Sequence, residues 1–350
     1  MSLEVEQLLQ PISEEAPCGE DISYDPSFLA LEALAGGSPE QQMGDEVIEA
    51  KEPDWDEVRS SSLELAGRSK DLRVLLFVAL SHLKLDGSSG FRDALTLLRR
   101  TLETYWDDVY PKLDPDDDND PTERKNILES LSPPVSEMSD QDPMRFKDRF
   151  MGVAICKPSD RRLKPVSLRD VLVAAGNLSV SGGETPIDGS LVDAAFEATP
   201  TEDLQEIQGV LQAIGAELNT MAGFLNEKMG VAVAPTFKEL SDVVQQAGQH
   251  IAANLAARGY GDAEEVESGD RQQGGQALSG QINSTQDVLK ALDKVAEYYE
   301  RNEPSSPLPL LMRRAKRLVG KTFVDIIKDI SPDAMSQVQT VSGQSADEEY

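Results

Sequence analysis

Two histidines, two cysteines and two tryptophans are all that 350 residues contain of those three types. Each scarcity excludes something. His82 and His250 have no cysteine or second histidine at ligand spacing, so a zinc site has no support in the sequence. Both read as helix-surface or half-buried residues. Cys18 and Cys156 lie far apart, and a disulfide framework is not implied; they read as free thiols in a reducing compartment. Aromatic residues make up only 5% of the chain, so its cores must be aliphatic, which suits helix packing. Bases are scarce too: 33 Lys and Arg against 63 Asp and Glu give a net charge of -30. Clustered cations are what a phosphate backbone needs, so nucleic acid is disfavoured as a main partner. The same charge favours basic patches on partner proteins. The deficit is deepest at the front, where Lys51 is the single base before Arg59. Long apolar runs are absent as well. The longest, Val74 to Leu80, is far too short to span a bilayer. The segment Met1-Ser2-Leu3-Glu4-Val5-Glu6 has neither a positive n-region nor an apolar h-region. The expectation is a cytoplasmic protein that meets a membrane only through partners.

What is present is mostly helical period. Residues 1–54 are punctuated by Pro11, Pro17, Pro26, Pro39 and Pro53 and read as mostly irregular, with short helical pieces at Glu4–Leu9 and Ser27–Ala35. Trp55, Val58, Leu63 and Leu65 open a first stripe. Asp71–Leu85 carries a second, which Gly87-Ser88-Ser89-Gly90 is expected to end. Phe91–Tyr110 carries a third, closed by Pro111. Asp120 and Pro121 start the next helix, and Pro133-Pro134 stop it after Leu131. The run Met151–Cys156 fits a strand or a helix end equally well. Ser167 caps a helix to about Ala175, and helices follow over Asp188–Ala198 and Thr201–Met229. Thr236-Phe237-Lys238-Glu239 reads as a capping box opening a helix to Arg258. Residues 259–281, rich in Gly, Gln and Asp, have no period and read as a linker.

The fold class is therefore mainly α: a helical N-terminal bundle over 1–134, a helical middle region over 135–258, the linker over 259–281, a compact helical C-terminal oligomerisation domain over 282–343, and a tail over 344–350.

Two apparent motifs fail on inspection, and a third is missing. Asp114, Asp116, Asp118 and Asp120 alternate like a calcium loop, but counting from Asp114 the sixth position is Asn119 and the twelfth is Lys125, where Gly and Glu are needed. A solvated acidic loop that caps a helix is the plainer reading. Gly320-Lys321-Thr322 resembles the end of a phosphate loop, but Ala315 replaces the required glycine and no strand precedes it. No G-x-S-x-G elbow is present. Cofactors and metals are therefore expected to be none, and the chain is read as not an enzyme.

The stretch Tyr298–Val319 joins a helix end, a turn stiffened by Pro304, Pro307 and Pro309, and a basic amphipathic helix. Arg313, Arg314, Lys316 and Arg317 on that helix form either a solvated face or a docking face for an acidic surface; no aromatic interleaving supports RNA.

Glu303-Pro304-Ser305-Ser306-Pro307-Leu308-Pro309-Leu310-Leu311, Arg313-Arg314-Ala315 and Phe323-Val324-Asp325-Ile326-Ile327 closely resemble the C-terminal region of TssA proteins of bacterial type VI secretion systems. At the front, Pro11-Ile12-Ser13, Pro17-Cys18-Gly19-Glu20-Asp21, Ser69-Lys70-Asp71-Leu72-Arg73, Gly90-Phe91 and Tyr105-Trp106-Asp107 resemble that family's ImpA-related N-terminal domain. The resemblance implies a non-enzymatic assembly protein that forms a homo-oligomeric ring through its C-terminal region. It would act at the baseplate or tail tip and promote assembly of the inner tube and contractile sheath. Implied partners are further copies of itself, baseplate subunits, tube protein and sheath proteins, with the secretion apparatus at the inner membrane as its location. Leu292, Val295, Tyr299, Leu308, Leu311, Phe323 and Ile327 are the candidate ring-interface residues. Arg313, Arg314, Arg317, Trp55 and Arg73 are the candidate docking residues. The alternatives are a soluble monomeric adaptor with helical arms, or a carboxylate-dependent hydrolase.

Overall fold

The structure is a computed structural model that describes residues 3–37, 41–43, 46–48, 52–134, 144–179, 186–260 and 308–318, with Leu289, Leu292, Val295 and Ala296. The chain divides into two compact units, Met1–Glu264 and Glu265–Tyr350. The fold is mainly α, as the periodicity leads one to expect.

In the first unit, short side chains start the helices. Asp25 accepts the Ser27 N–H at 2.7 Å and Pro26 fills the first position of α2 (Pro26–Ala35), after the single turn α1 (Val5–Leu8). Asp54 accepts from Glu57 N to open α3 (Trp55–Ala66), and Asp71 accepts from Arg73 N at 2.8 Å to open α4 (Leu72–Tyr105). Each such cap stabilises a helix by about 1 kcal/mol. α4 is the central element. It packs against α3 and against α9 (Thr201–Met229), and α9 packs against α10 (Lys238–Ala257). Between them lie α5 (Thr122–Glu129), α6 (Phe146–Met151), α7 (Leu168–Ala174) and α8 (Gly189–Glu197). Leu204, Leu211, Ile214, Leu218, Met221 and Leu225 bury one stripe of α9 at helical spacing. Phe91 meets Phe146 and Phe150 of α6 with ring centres 5.8 Å apart. The residues 1–134 and 135–258 thus share one continuous core.

Several local expectations need correction. One break falls where expected: α4 is two helical segments that meet at Gly87, whose φ 67° and ψ -148° are not helical, and the second segment resumes at Ser88 rather than after Gly90. Only glycine takes that conformation without strain. Gly90 then lets the helix close tightly, because a Cβ there would stand 2.8 Å from the His82 carbonyl oxygen. The helix ends at Tyr105, not Tyr110, because Tyr110 is drawn into pairing with Lys70 and Asp71. The undecided run Met151–Cys156 proves to be both: α6 ends at Met151 and strand β3 (Ala154–Cys156) pairs antiparallel with β4 (Val166–Ser167). Within the stretch read as mostly irregular, β1 (Gln41–Met43) and β2 (Glu46–Ile48) pair antiparallel with Gln41 opposite Ile48.

The capping box at Thr236 does not form. Phe237, fully buried, sits in the left-handed region at φ 51° to place its ring in the core. The Leu240 N–H is instead taken by Ser132 Oγ at 3.0 Å, from far back in the sequence. Ser167, by contrast, makes a full capping box with Asp170.

In the second unit the described residues include the helix Leu308–Leu318. Leu289, Leu292, Val295 and Ala296 are also helical. Most of the linker over 259–281 and the tail lie outside the described residues.

Candidate functional site

The front motif residues converge on one clasp. The segment Pro17–Asp21 runs beside the α3–α4 junction, where Gly19 bridges to Ser69. Lys70 N–H donates to the Cys18 carbonyl at 2.9 Å, and Ser69 Oγ–H donates to the Glu20 carbonyl at 2.7 Å. Tyr110 OH donates to the Gly19 carbonyl at 3.2 Å. Gly19 has φ 74°, and a Cβ there would lie 2.1 Å from the Arg68 carbonyl oxygen, so no other residue fits. Arg68 holds Glu20 at 2.9 Å and Asp25 at 2.6 Å. The hydrogen bonds from Arg68 and from Ser27 N–H keep the Asp25 carboxyl below the usual carboxylate range.

Two cations are buried in this clasp. Lys70 Nζ donates to the Leu8 carbonyl at 2.7 Å and lies over the Tyr105 ring. Burial lowers its pKa. Arg124, from α5, donates to the Trp106, Val109 and Pro111 carbonyls at 2.5, 2.6 and 2.7 Å and stacks over the Trp106 ring. Desolvation brings its pKa down to about 10. A planar fork of donors is what three converging carbonyls require. The Cys18 thiol, buried beside them, is pushed up to about 11 by burial, so it is an inert structural cysteine.

Trp55 and Arg73, the candidate arm contacts, are both held by contacts within the fold. Trp55 is 8% exposed, with Arg149 and Lys84 over its ring at 4.7 and 5.6 Å. Arg73 binds Asp71 with two nitrogens, at 3.0 and 2.6 Å, reaches Ser23 Oγ at 2.9 Å, and covers the Phe28 ring. Both side chains are engaged inside the fold.

An open cleft of about 800 Å³ lies beside the Gly87 kink, between α6 and the start of α9. Its cations Lys84, Arg145, Arg149, Lys157 and Arg169 face the acids Glu52, Asp86, Asp148, Asp203 and Glu206. Glu52 pairs with Lys84 at 3.1 Å, and Arg145 pairs with Asp148 at 2.9 Å. Burial pushes the Glu52 carboxyl up, but hydrogen bonds from Lys84 and Trp55 outweigh it and hold it below the usual range. That is the reverse of what a general acid needs. His82, fully buried, makes its Nδ1 hydrogen bond to the Val78 carbonyl at 2.8 Å. Among the described residues no group of three or more His, Cys, Asp or Glu could hold a metal. Among them, too, no helix is long and apolar enough to cross a membrane.

The Leu308–Leu318 helix is the opposite of the clasp. Leu310 and Leu311 are 69% and 51% exposed, and Arg313 and Arg317 are exposed beside them. Arg314, Leu308 and Leu292 are half-buried, Val295 is exposed, and Ala296 is buried. Tyr299, Phe323 and Ile327 lie outside the described residues. Sequence reasoning missed Arg124, whose signal was slight: one arginine in a short helix of mostly polar residues.

Comparison with known proteins follows this geometry. Residues 9–133 match the family model described as ImpA, N-terminal, type VI secretion system. That span contains all of the clasp except Leu8, and its description is that of a type VI secretion domain, here mainly α. The chain is 37% identical over 361 residues to type VI secretion system component TssA1 of Pseudomonas aeruginosa, covering 99% of this chain and all of that protein. The chain belongs to the TssA family of type VI secretion system components. Its fold is also that of the N-terminal domain, including the ImpA_N region, of the TssA component from Burkholderia cenocepacia. That match has a TM-score of 0.58 and 21% identity, and covers 74% of this chain and 96% of that one.

Proposed function

We propose that this chain is a non-enzymatic assembly component that forms a homo-oligomeric ring and promotes tube and sheath assembly at the baseplate or tail tip. The observation that carries the reading is the relation to TssA1 across the full length of both proteins. The ring forms through the second unit, with Leu292, Val295, Tyr299, Leu308, Leu311, Phe323 and Ile327 at its interface. Arg313, Arg314 and Arg317 dock acidic surfaces of a neighbouring copy or a partner. The exposed Leu310 and Leu311 beside exposed arginines support an interface on this helix, because leucines at solvent-facing positions leave apolar area uncovered. The partners are baseplate subunits, inner-tube protein and sheath proteins, met in the cytoplasm at the inner-membrane apparatus. In a ring, many weak contacts through the first unit add by multivalency.

The test is capture of purified tube, sheath and baseplate subunits by the full chain, with secretion restored in cells lacking the gene. Retention of at least one of these subunits, together with restored secretion, is expected. Retention of none, or metal- or nucleotide-dependent turnover abolished by one carboxylate substitution, would overturn the reading.

A further inference from the structure

The helix α2 is apolar on both sides. Phe28, Leu31 and Ala35 are buried, as a surface helix requires. Yet Pro26, Leu29, Ala30 and Ala33, which share the opposite face at i, i+3, i+4 and i+7 spacing, are all exposed. Glu32 is the single charged residue within the helix. A helix that is apolar all round normally has cover on every side. Tyr24 sharpens the point. It precedes the Asp25 cap, and Leu29 is the fourth helical residue, the two positions that usually close on each other as a hydrophobic staple. Here Tyr24 is 92% exposed and Leu29 is 52% exposed, so both present apolar surface to solvent.

The rim of this face is acidic. Asp21 and Glu32 are exposed there, in the stretch of chain poorest in bases, while Glu20 and Asp25 are already paired with Arg68. That rim decides the occupant. Nucleic acid and anionic lipid are repelled. A second copy presenting the same face would set acid against acid across a two-fold contact. We propose that the outer face of α2, centred on Tyr24 and Leu29, docks a segment of a partner protein that carries leucine-like side chains flanked by lysine or arginine. The leucines cover Leu29, Ala30 and Ala33; the cations meet Glu32 and Asp21. The inference does not depend on ring formation, since the face lies wholly within the first unit.

The test uses the full chain and a fluorescent amphipathic helical peptide of leucine and lysine. A control peptide has serine in place of every leucine and the same charge. Tyr24→Ser combined with Leu29→Ser removes the apolar contact without changing charge. Both residues are exposed, so melting should be unchanged. The double variant is expected to bind the leucine peptide about tenfold more weakly, as loss of a small hot spot does. Binding of the control peptide should not change. In the unaltered chain, the leucine peptide should slow hydrogen exchange across Asp25–Ala35. Equal binding of the leucine peptide by the unaltered chain and the double variant would overturn the proposal. Protection confined to other segments would do the same. A lower mass of the double variant by light scattering would also overturn it, by assigning the face to a second copy.

Discussion

The front clasp and the Leu308–Leu318 helix use their charged side chains in opposite ways. In the clasp, Lys70, Arg73 and Arg124 point inward, onto carbonyls, a buried carboxylate and aromatic faces. In the C-terminal helix, Arg313 and Arg317 point outward beside exposed leucines. Both stretches carry the family resemblance, yet for different physical reasons. A buried cation is held because removing it strands its partners, which costs more than the pair contributed. The C-terminal arginines keep a solvent-facing side, and leucines beside them add uncovered apolar area. Signature residues at the front therefore hold the fold, whereas several of those at the back lie at its surface.

The largest effect should come from Arg124. Arg124→Met leaves the Trp106, Val109 and Pro111 carbonyls without their donors and should cost about 3 kcal/mol or more in urea unfolding. A cost near zero would break the contrast at its strongest point. Gly19→Ala comes next, since it combines a positive φ with a clash against the Arg68 carbonyl; about 2 kcal/mol is expected. Ser132→Ala should cost about 1 kcal/mol by uncapping α10, and Thr236→Ala should be nearly neutral. The reverse order would reinstate the local capping box.

A smaller effect is set by pH. Burial holds the His82 pKa below its ordinary value, so at mildly acidic pH the unfolded chain binds more protons than the folded one. Stability is then fully present above about pH 6.5 and falls as pH drops through that value toward the lower folded pKa. The melting temperature should decline between about pH 7.5 and about pH 5.5, and His82→Asn should flatten the decline. Desolvation lowers the His250 pKa in the same direction, so some slope should survive.

Much of this fold was legible because helical period and short capping side chains are local signals. Trp55, Asp71, Ser167 and the α9 stripe could be read directly. What was not legible depends on distance in sequence. Ser132 caps a helix more than a hundred residues away, and nothing near Leu240 announces it. Tyr110 leaves the helix because Lys70 and Asp71 recruit it. Gly87-Ser88-Ser89-Gly90 was legible as a break because two glycines weaken a helix; the local sequence did not announce that Gly87 alone makes the break and Gly90 a close approach. Trp55 looked available for docking because Arg149, over its ring, is remote in sequence; Arg73 did so because Ser23 and Phe28, which it reaches besides its neighbour Asp71, are remote too.

The sharpest test of the division between front and back is the mass of the full chain by light scattering, with and without Leu311→Glu. The unaltered chain should be a multimer, and the variant should fall to a smaller species while its first unit melts unchanged. A full-length monomer at micromolar concentration, or a variant of unaltered mass, would contradict the assignment of assembly to the C-terminal helix.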